Sequence, residues 1–300
     1  MLKIAYNDYY VQPLPEGHRF PMDKYDLLPK QLLHEGTVEK EAFFSPSVIT
    51  EDDVLAVHEK QYYKALITLN IDKRAQRKSG FPHNERLILR EQIIMEGTRK
   101  CAEYALEYGA AMNIAGGTHH AYTNRGEGFC LLNDQAIAAQ WLLNQQKANQ
   151  ILIIDLDVHQ GNGTAEIFKN NPQVFTFSMH GENNYPLKKE ISDLDIPLPD
   201  GIKDKEYLYL LEKNLDQILT NITPDFLFFQ SGVDIIETDK LGRLGVTIQG
   251  CRQRDDVVFR YANELDVPIV ASMGGGYSPE IKNIIEAHAN TYRAAQQILF

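Results

Sequence analysis

Asp155, Asp157 and His159 stand two apart in the segment Asp155-Leu156-Asp157-Val158-His159-Gln160-Gly161-Asn162-Gly163-Thr164, directly after the aliphatic run Ile151-Leu152-Ile153-Ile154. Side chains two apart in an extended chain point to the same side, so two carboxylates and an imidazole can share a face. Ionised carboxylates at the margin of an apolar run are unfavourable unless they are paired or bound to a cation. An oxygen and imidazole donor set suits a divalent metal ion. Metal-assisted chemistry at the end of a strand is therefore the first expectation.

Three more segments set polar residues beside glycines: Ala115-Gly116-Gly117-Thr118-His119-His120, Gln230-Ser231-Gly232-Val233-Asp234 and Met273-Gly274-Gly275-Gly276-Tyr277-Ser278. Glycine permits tight turns and close approach of the backbone to a ligand. Taken singly, each has a plainer reading. The two histidines suit a turn, Asp234 a helix N-cap, and Tyr277 the core. Three ionisable groups closing one strand have no such plain reading, and four such segments in one chain reinforce each other.

The elements that must position these residues alternate. The apolar runs 112–115, 151–154, 174–177, 226–229 and 268–271 read as strands. Helix-like stretches fall at 84–108, 133–146, 205–220, 247–265 and 278–299. This alternation predicts an α/β fold of three layers, α/β/α, around a central, mostly parallel sheet. Pro224, Pro268 and Pro279 sit at element starts, where proline is tolerated. Ligands of such sheets collect beyond the carboxyl ends of the strands, where all four segments fall. No linker divides the chain, so 1–300 reads as a single domain. Segments 8–36 and 70–84 read as irregular loops near the site, and the basic run Lys73, Arg74, Arg77, Lys78 as a solvated face.

Bulk properties exclude several classes. Hydrophobic residues at 43% and charged residues at 24% are ordinary for a soluble globular protein. A net charge of -11 argues against a nucleic-acid partner and favours cationic substrates. Cys101, Cys130 and Cys251 form no CxxC pair, so neither a disulfide framework nor a thiolate zinc site is indicated. The first eight residues are too polar for a signal peptide, and no apolar run is long enough to span a membrane. The expectation is a cytoplasmic protein in a reducing compartment, with no membrane partner.

From Gly17-His18-Arg19-Phe20-Pro21-Met22 to Gly274-Gly275-Gly276-Tyr277 the chain resembles the zinc-dependent histone deacetylase family, within the arginase–deacetylase fold. The resemblance also covers Gly116-Gly117-Thr118-His119-His120-Ala121, Gly128-Phe129-Cys130-Leu131-Leu132-Asn133-Asp134, Ser231-Gly232-Val233-Asp234 and Asp239-Lys240-Leu241-Gly242-Arg243-Leu244. The opening motif and His159-Gln160-Gly161-Asn162-Gly163-Thr164 are similar to the class IV-like branch and its bacterial relatives. The resemblance implies Asp157, His159 and Asp234 as ligands of a zinc ion, with Fe(II) suited to the same set, leaving a position for water and the substrate carbonyl. It implies His120 as general base, His119 as its charge-stabilising partner oriented by Asp155, and Tyr277 as donor to the oxyanion. Asn162 stands where many members carry an aspartate against the second histidine, and a neutral amide raises the imidazole pKa less than a carboxylate does. Gly128 and Phe129 are implied on one wall of a channel for the acyl-lysine chain, with Tyr185 opposite and His18 at the floor. Carbonyls around Asp155, Asp157 and His159, with Ser178 and Met179, match a structural potassium site. The implied substrate is an acetylated or longer-acylated lysine of a peptide or protein, or a small acylated amine.

Three other readings compare less well. A dinuclear arginase-like site wants carboxylates two residues beyond His159 and Asp234, where Gly161 and Ile236 stand. Polyamine deacetylases show ProProGlyHisHis where this chain has Gly116-Gly117-Thr118-His119-His120. A catalytically weak acyl-lysine binding module would lack Tyr277.

Overall fold

The computed structural model describes residues 1–300. Eight strands form one sheet: β1 (Lys3–Ala5), β2 (Phe43–Phe44), β3 (Ala110–Asn113), β4 (Ile151–Asp155), β5 (Val174–Gly181), β6 (Leu194–Leu198), β7 (Phe226–Gln230) and β8 (Ile269–Ser272). Their spatial order is β2-β1-β3-β8-β7-β4-β5-β6, and every pair is parallel. Parallel neighbours need crossover connections, and these are largely helical. The helices are α1 (Lys24–His34), α2 (Glu51–Leu55), α3 (Lys60–Ile67), α4 (Lys73–Ser79), α5 (Glu85–Tyr108), α6 (Asp134–Asn144), α7 (Asn162–Phe168), α8 (Asp204–Asn221), α9 (Ile248–Leu265) and α10 (Ile281–Leu299). α5 packs on α6, while α9 packs on α8 and α10. Covered on both faces, β3, β4, β7 and β8 are buried throughout, which is why they read as near-continuous apolar runs.

Local chemistry sets the long helices. The Asn84 side chain accepts from Leu87 N at 2.8 Å and starts α5, and Gly109, with φ of 86°, ends it. The Thr247 hydroxyl accepts from Gly250 N at 2.9 Å and starts α9.

Register lines up the chemistry. At the carboxyl edge Asn113 pairs with Ser272, Ser272 with Gln230, Gln230 with Asp155, Asp155 with Ser178, and Ser178 with Asp195. In the row before, Met112, Ala271, Phe229, Ile154, Phe177 and Leu194 are all apolar, and one row later the six neighbouring strands turn polar together. The loops leaving this row carry the site.

The structure departs from expectation in places. The expected α/β fold with its parallel sheet is present, parallel throughout, but β1, β2 and β6 add to the five expected strands. β2 and β6 are the edges and β1 lies next to β2; β1 and β2 are very short and β6 (Leu-Asp-Ile-Pro-Leu) is mostly part-exposed, so no apolar run announces them. The strand expected at 112–115 lies two residues earlier because Asn113 turns its Oδ1 to Ala115 N at 3.1 Å, ending the extended run. Segments 8–36 and 70–84 are not wholly irregular, since they contain α1 and α4. Asp72 caps α4 by accepting from Arg74 N and Ala75 N.

Candidate active site

Asp157, His159 and Asp234 bring one donor atom each within 4.8 Å of one another, and all three are buried. The first two leave β4 and the third leaves β7. Two backbone amides hold them: Val158 N donates to Asp234 Oδ1 at 2.9 Å and Gly275 N to Asp157 Oδ2 at 2.9 Å. A side chain at Gly275 would strike the Asp234 carboxylate, so this position has room only for glycine. His159 Nδ1 lies 3.0 Å from Asp157 Oδ1 and 3.1 Å from Asp234 Oδ2. Asp234 Oδ2 nevertheless makes no aligned hydrogen bond although it is buried. Burial lowers the His159 pKa, but hydrogen bonds and charges from both carboxylates outweigh it and raise it to about 10. Burial and the Asp157 charge push Asp234 up to about 7. Two carboxylates thus converge on one imidazole, and one of their buried oxygens lacks an aligned partner. A divalent cation fits this donor set, since it would neutralise both acids and free the His159 nitrogen to ligate.

The loop after β3 brings His119 and His120 alongside, with ring centroids 4.1 Å apart. Asp134 pins this loop: its Oδ1 accepts from Thr118 N and Oγ1, each at 2.8 Å, and its Oδ2 from Thr98 and Ser272 hydroxyls. Gln230 Nε2 adds a bond to Gly117 O at 2.8 Å. The two imidazoles differ sharply. His119 Nδ1 lies 2.7 Å from Asp155 Oδ2; burial would lower its pKa, but Asp155 and Asp157 raise it to about 9. His120 Nδ1 lies 2.5 Å from Asn162 Oδ1, whose amide nitrogen donates to the Tyr122 hydroxyl at 2.9 Å. That amide orientation makes His120 Nδ1 the donor and leaves the Nε2 lone pair free. Burial first, then the His119 and His159 charges, hold the His120 pKa well below the ordinary histidine value.

Tyr277 stands on the far side, its ring centroid 6.4 Å from that of His159. Its loop is fixed by Tyr277 N donating to Asp239 Oδ2 at 2.5 Å and by Lys24 Nζ donating to Gly274 O at 2.9 Å. Burial, then the Asp234 and Asp157 charges, keep the Tyr277 phenol protonated far above neutrality. A cavity of about 380 Å³ reaches the cluster from solvent, with Gly128, Phe129, Tyr185, His120 and Tyr277 among its walls. Tyr185 meets the His120 ring edge-on at 4.9 Å and donates to Glu127 Oε2 at 2.6 Å. The structure therefore brings together His119, His120, Asp155, Asn162, Tyr277, the three acid and imidazole donors, and the channel residues Gly128, Phe129 and Tyr185. Ser178 and Met179 lie on β5, with Ser178 in register beside Asp155.

His18 departs from its expected place at the floor. Its Nε2 meets Gly80 O at 2.9 Å and its ring stacks on Phe81, so it buttresses the outer side of Phe129. Gly161 abuts Asp155 and Ile236 pairs with Val246, so no carboxylate occupies the places a second metal would need.

The contacts of several supporting residues were not legible beforehand. Arg254, wholly buried on α9, donates to Gly232 O at 2.5 Å, Ser231 O at 3.2 Å and Leu156 O at 3.3 Å, tying the loops of Asp234 and Asp157 together. Asp255 balances its charge at 2.7 Å. Lys24 is also fully buried; burial lowers its pKa to about 8 while the acids of the site hold its charge. Asp134 closes a motif noted in the sequence, but its partners are far away in the chain.

Comparison with known proteins fits this geometry. The histone deacetylase domain model matches residues 18–292. An uncharacterised protein of Picosynechococcus is 41% identical over 295 residues, covering 98% of each chain. A probable deacetylase of Archaeoglobus fulgidus is 30% identical over 272 residues, covering 83% of this chain and 74% of that one. Histone deacetylase 2 of Arabidopsis thaliana is 28% identical, covering 89% of this chain and 72% of its own. Among solved structures, an HDAC homologue complexed with SAHA superposes with a TM-score of 0.86 at 24% identity, covering 99% of this chain and 84% of that one.

Proposed function

Because this chain belongs to the histone deacetylase family, we propose that it is a zinc-dependent deacylase that removes acetyl or longer acyl groups from lysine side-chain amines of peptides or proteins. What carries this reading is a pair of adjacent histidines, one against the Asp155 carboxylate and the other against the Asn162 amide, beside a buried carboxylate–imidazole–carboxylate cluster. Asp157, His159 and Asp234 would hold the ion, which when bound supplies Lewis acidity toward the amide carbonyl and acidifies water toward a pKa of ~7. Fe(II) suits the same donors. The free Nε2 of His120 accepts the proton of the attacking water and returns it to the leaving amine. His119, held charged by Asp155, stabilises the negative charge that develops beside it. The Tyr277 hydroxyl donates to the oxyanion, a contribution of about 3 kcal/mol for such a donor. Gly128, Phe129 and Tyr185 enclose the methylene chain and exclude water.

A potassium ion at the carbonyls of Asp155, Asp157 and His159, with Ser178 and Met179, belongs to the same proposal as a structural counterpart. So does a cytoplasmic setting, with which three buried free thiols agree.

The test is direct. Protein loaded with zinc is assayed for bound metal and for turnover of acetyl-lysine and myristoyl-lysine peptides, before and after chelation and readdition. Chelation should abolish turnover and zinc restore it, and the two peptides rank the acyl length. Protein carrying one zinc per chain that leaves both peptides intact would refute the reading.

A further inference from the structure

We propose that the channel mouth reads anionic groups, selecting acyl-lysines flanked by Asp or Glu; this rests on the deacylase reading of the same site. The cavity leading to the cluster is lined by Arg19, Lys78 and Arg243 and by no carboxylate. All three are exposed. The Arg19 guanidinium sits 5.2 Å over the Phe129 ring and makes no ion pair, so its donors face solvent at the opening. Arg243 approaches Asp200 only at 3.5 Å, with both side chains about half exposed, a pairing of little strength. Lys78 lies 3.7 Å from Glu127, whose oxygens already accept from Arg125 and Tyr185.

Backbone geometry fixes this arrangement. Gly128 N donates to Lys78 O at 3.0 Å and Phe129 N to Ser79 O at 2.8 Å, so the end of α4 is built into the channel wall. Arg74 lies one helical turn before Lys78 and shares its side of α4, also exposed. The basic run that reads as a merely solvated face in the sequence thus ends at the entrance.

The whole chain carries a net charge of -11, and on that ground a cationic substrate is expected. Local charge overrides the total, because exposed charges beyond a Debye length of about 8–10 Å are largely screened. With an acyl-lysine threaded into the channel, its neighbours in the peptide lie about 3.5 Å apart per residue along the rim. They fall within reach of Arg19, Lys78 and Arg243. Aspartate or glutamate there meets the unpaired Arg19 and the weakly paired Lys78 and Arg243, whereas arginine or lysine meets like charge.

The experiment compares two acyl-lysine peptides, identical except for flanking Glu-Glu or Arg-Arg, on the zinc-loaded protein. kcat/KM is read at low and high salt, and binding of the same peptides by fluorescence anisotropy. The acidic peptide should be favoured about tenfold at the lower salt, about 0.15 M, where the distant charges are already screened, with the preference shrinking several-fold at high salt. In an R19E/R243E double variant the ratio should invert. The ratio is read within each preparation, so a variant with less active protein still reports. Equal or basic-favouring ratios in both turnover and binding overturn the rim while leaving the deacylase reading intact. Tighter, salt-sensitive binding of the acidic peptide with neither peptide cleaved supports the rim and overturns the deacylase reading.

Discussion

Replacing Asn162 by Asp tests the base role proposed for His120 through its electrostatics. In the structure the neutral amide oxygen lies 2.5 Å from His120 Nδ1. Burial and the positive charge of His119 hold His120 below the ordinary histidine value. Catalysis needs the neutral imidazole, so the acid limb of kcat/KM against pH should lie below ~6.5. An aspartate at the same position keeps the shape and adds a charge about 4 Å from the ring centre, worth about 4 kcal/mol at an effective dielectric of ~20. That corresponds to an upper bound of about 3 pK units. Burial of the new carboxylate opposes its ionisation, and Tyr122 must turn from Glu190, now 3.2 Å away, to donate to it. A rise of about 1–2 units is therefore expected. The charge favours imidazolium, so the limb moves to higher pH: activity at pH 6 falls, while that at pH 8 changes little. The assay is kcat/KM for an acetyl-lysine peptide from pH 5 to 9, on preparations with matched zinc content and thermal midpoint. A limb that stays in place or moves to lower pH would refute the assignment of His120 as a base tuned through position 162.

The remaining predictions follow from the same contacts. Tyr277→Phe should lower kcat by about 10²–10³-fold with KM changed by less than about threefold, and equal losses in both would contradict a role confined to the transition state. Asp155→Asn should retain zinc, measured by elemental analysis, while kcat drops about 10–100-fold because His119 loses its counter-charge. Loss of zinc in step with activity would mean that Asp155 acts on the metal site. Arg254→Lys keeps a charge but cannot fork to the carbonyls of Ser231, Gly232 and Leu156. Each lost charge-assisted bond is worth about 1.5–3 kcal/mol, so urea unfolding should show destabilisation of at least that size, and an unchanged midpoint would count against the tie.

Much was legible because its signal is local. A buried parallel strand must be apolar along its whole length, so the run at 151–154 and those now seen as β5, β7 and β8 announce themselves, and their alternation with helices implies the layered sheet. The glycine-flanked His119-His120, Asp234 and Tyr277 segments were legible because loops that hold ligands need small residues at close approaches, as Gly275 does against Asp234. Short edge strands gave no such sign: β1 and β2 have too few residues to show a period, and β6 is mostly only part-buried.

Residue type and short spacing thus determined the central strands of the sheet and the acid–imidazole cluster that closes β4, since burial cost and backbone freedom act on a few neighbouring residues at a time, while the roles of Asp234 and the two histidines came from the family resemblance. Tertiary structure supplied the contacts behind the difference between the two histidines, because Asp155 and Asn162 reach His119 and His120 across more than thirty residues of chain. It alone placed Arg254 between two ligand loops, and it alone set the sign of charge at the channel mouth. Electrostatic energy depends on distance in space, and sequence separation carries no record of that distance until the chain is folded.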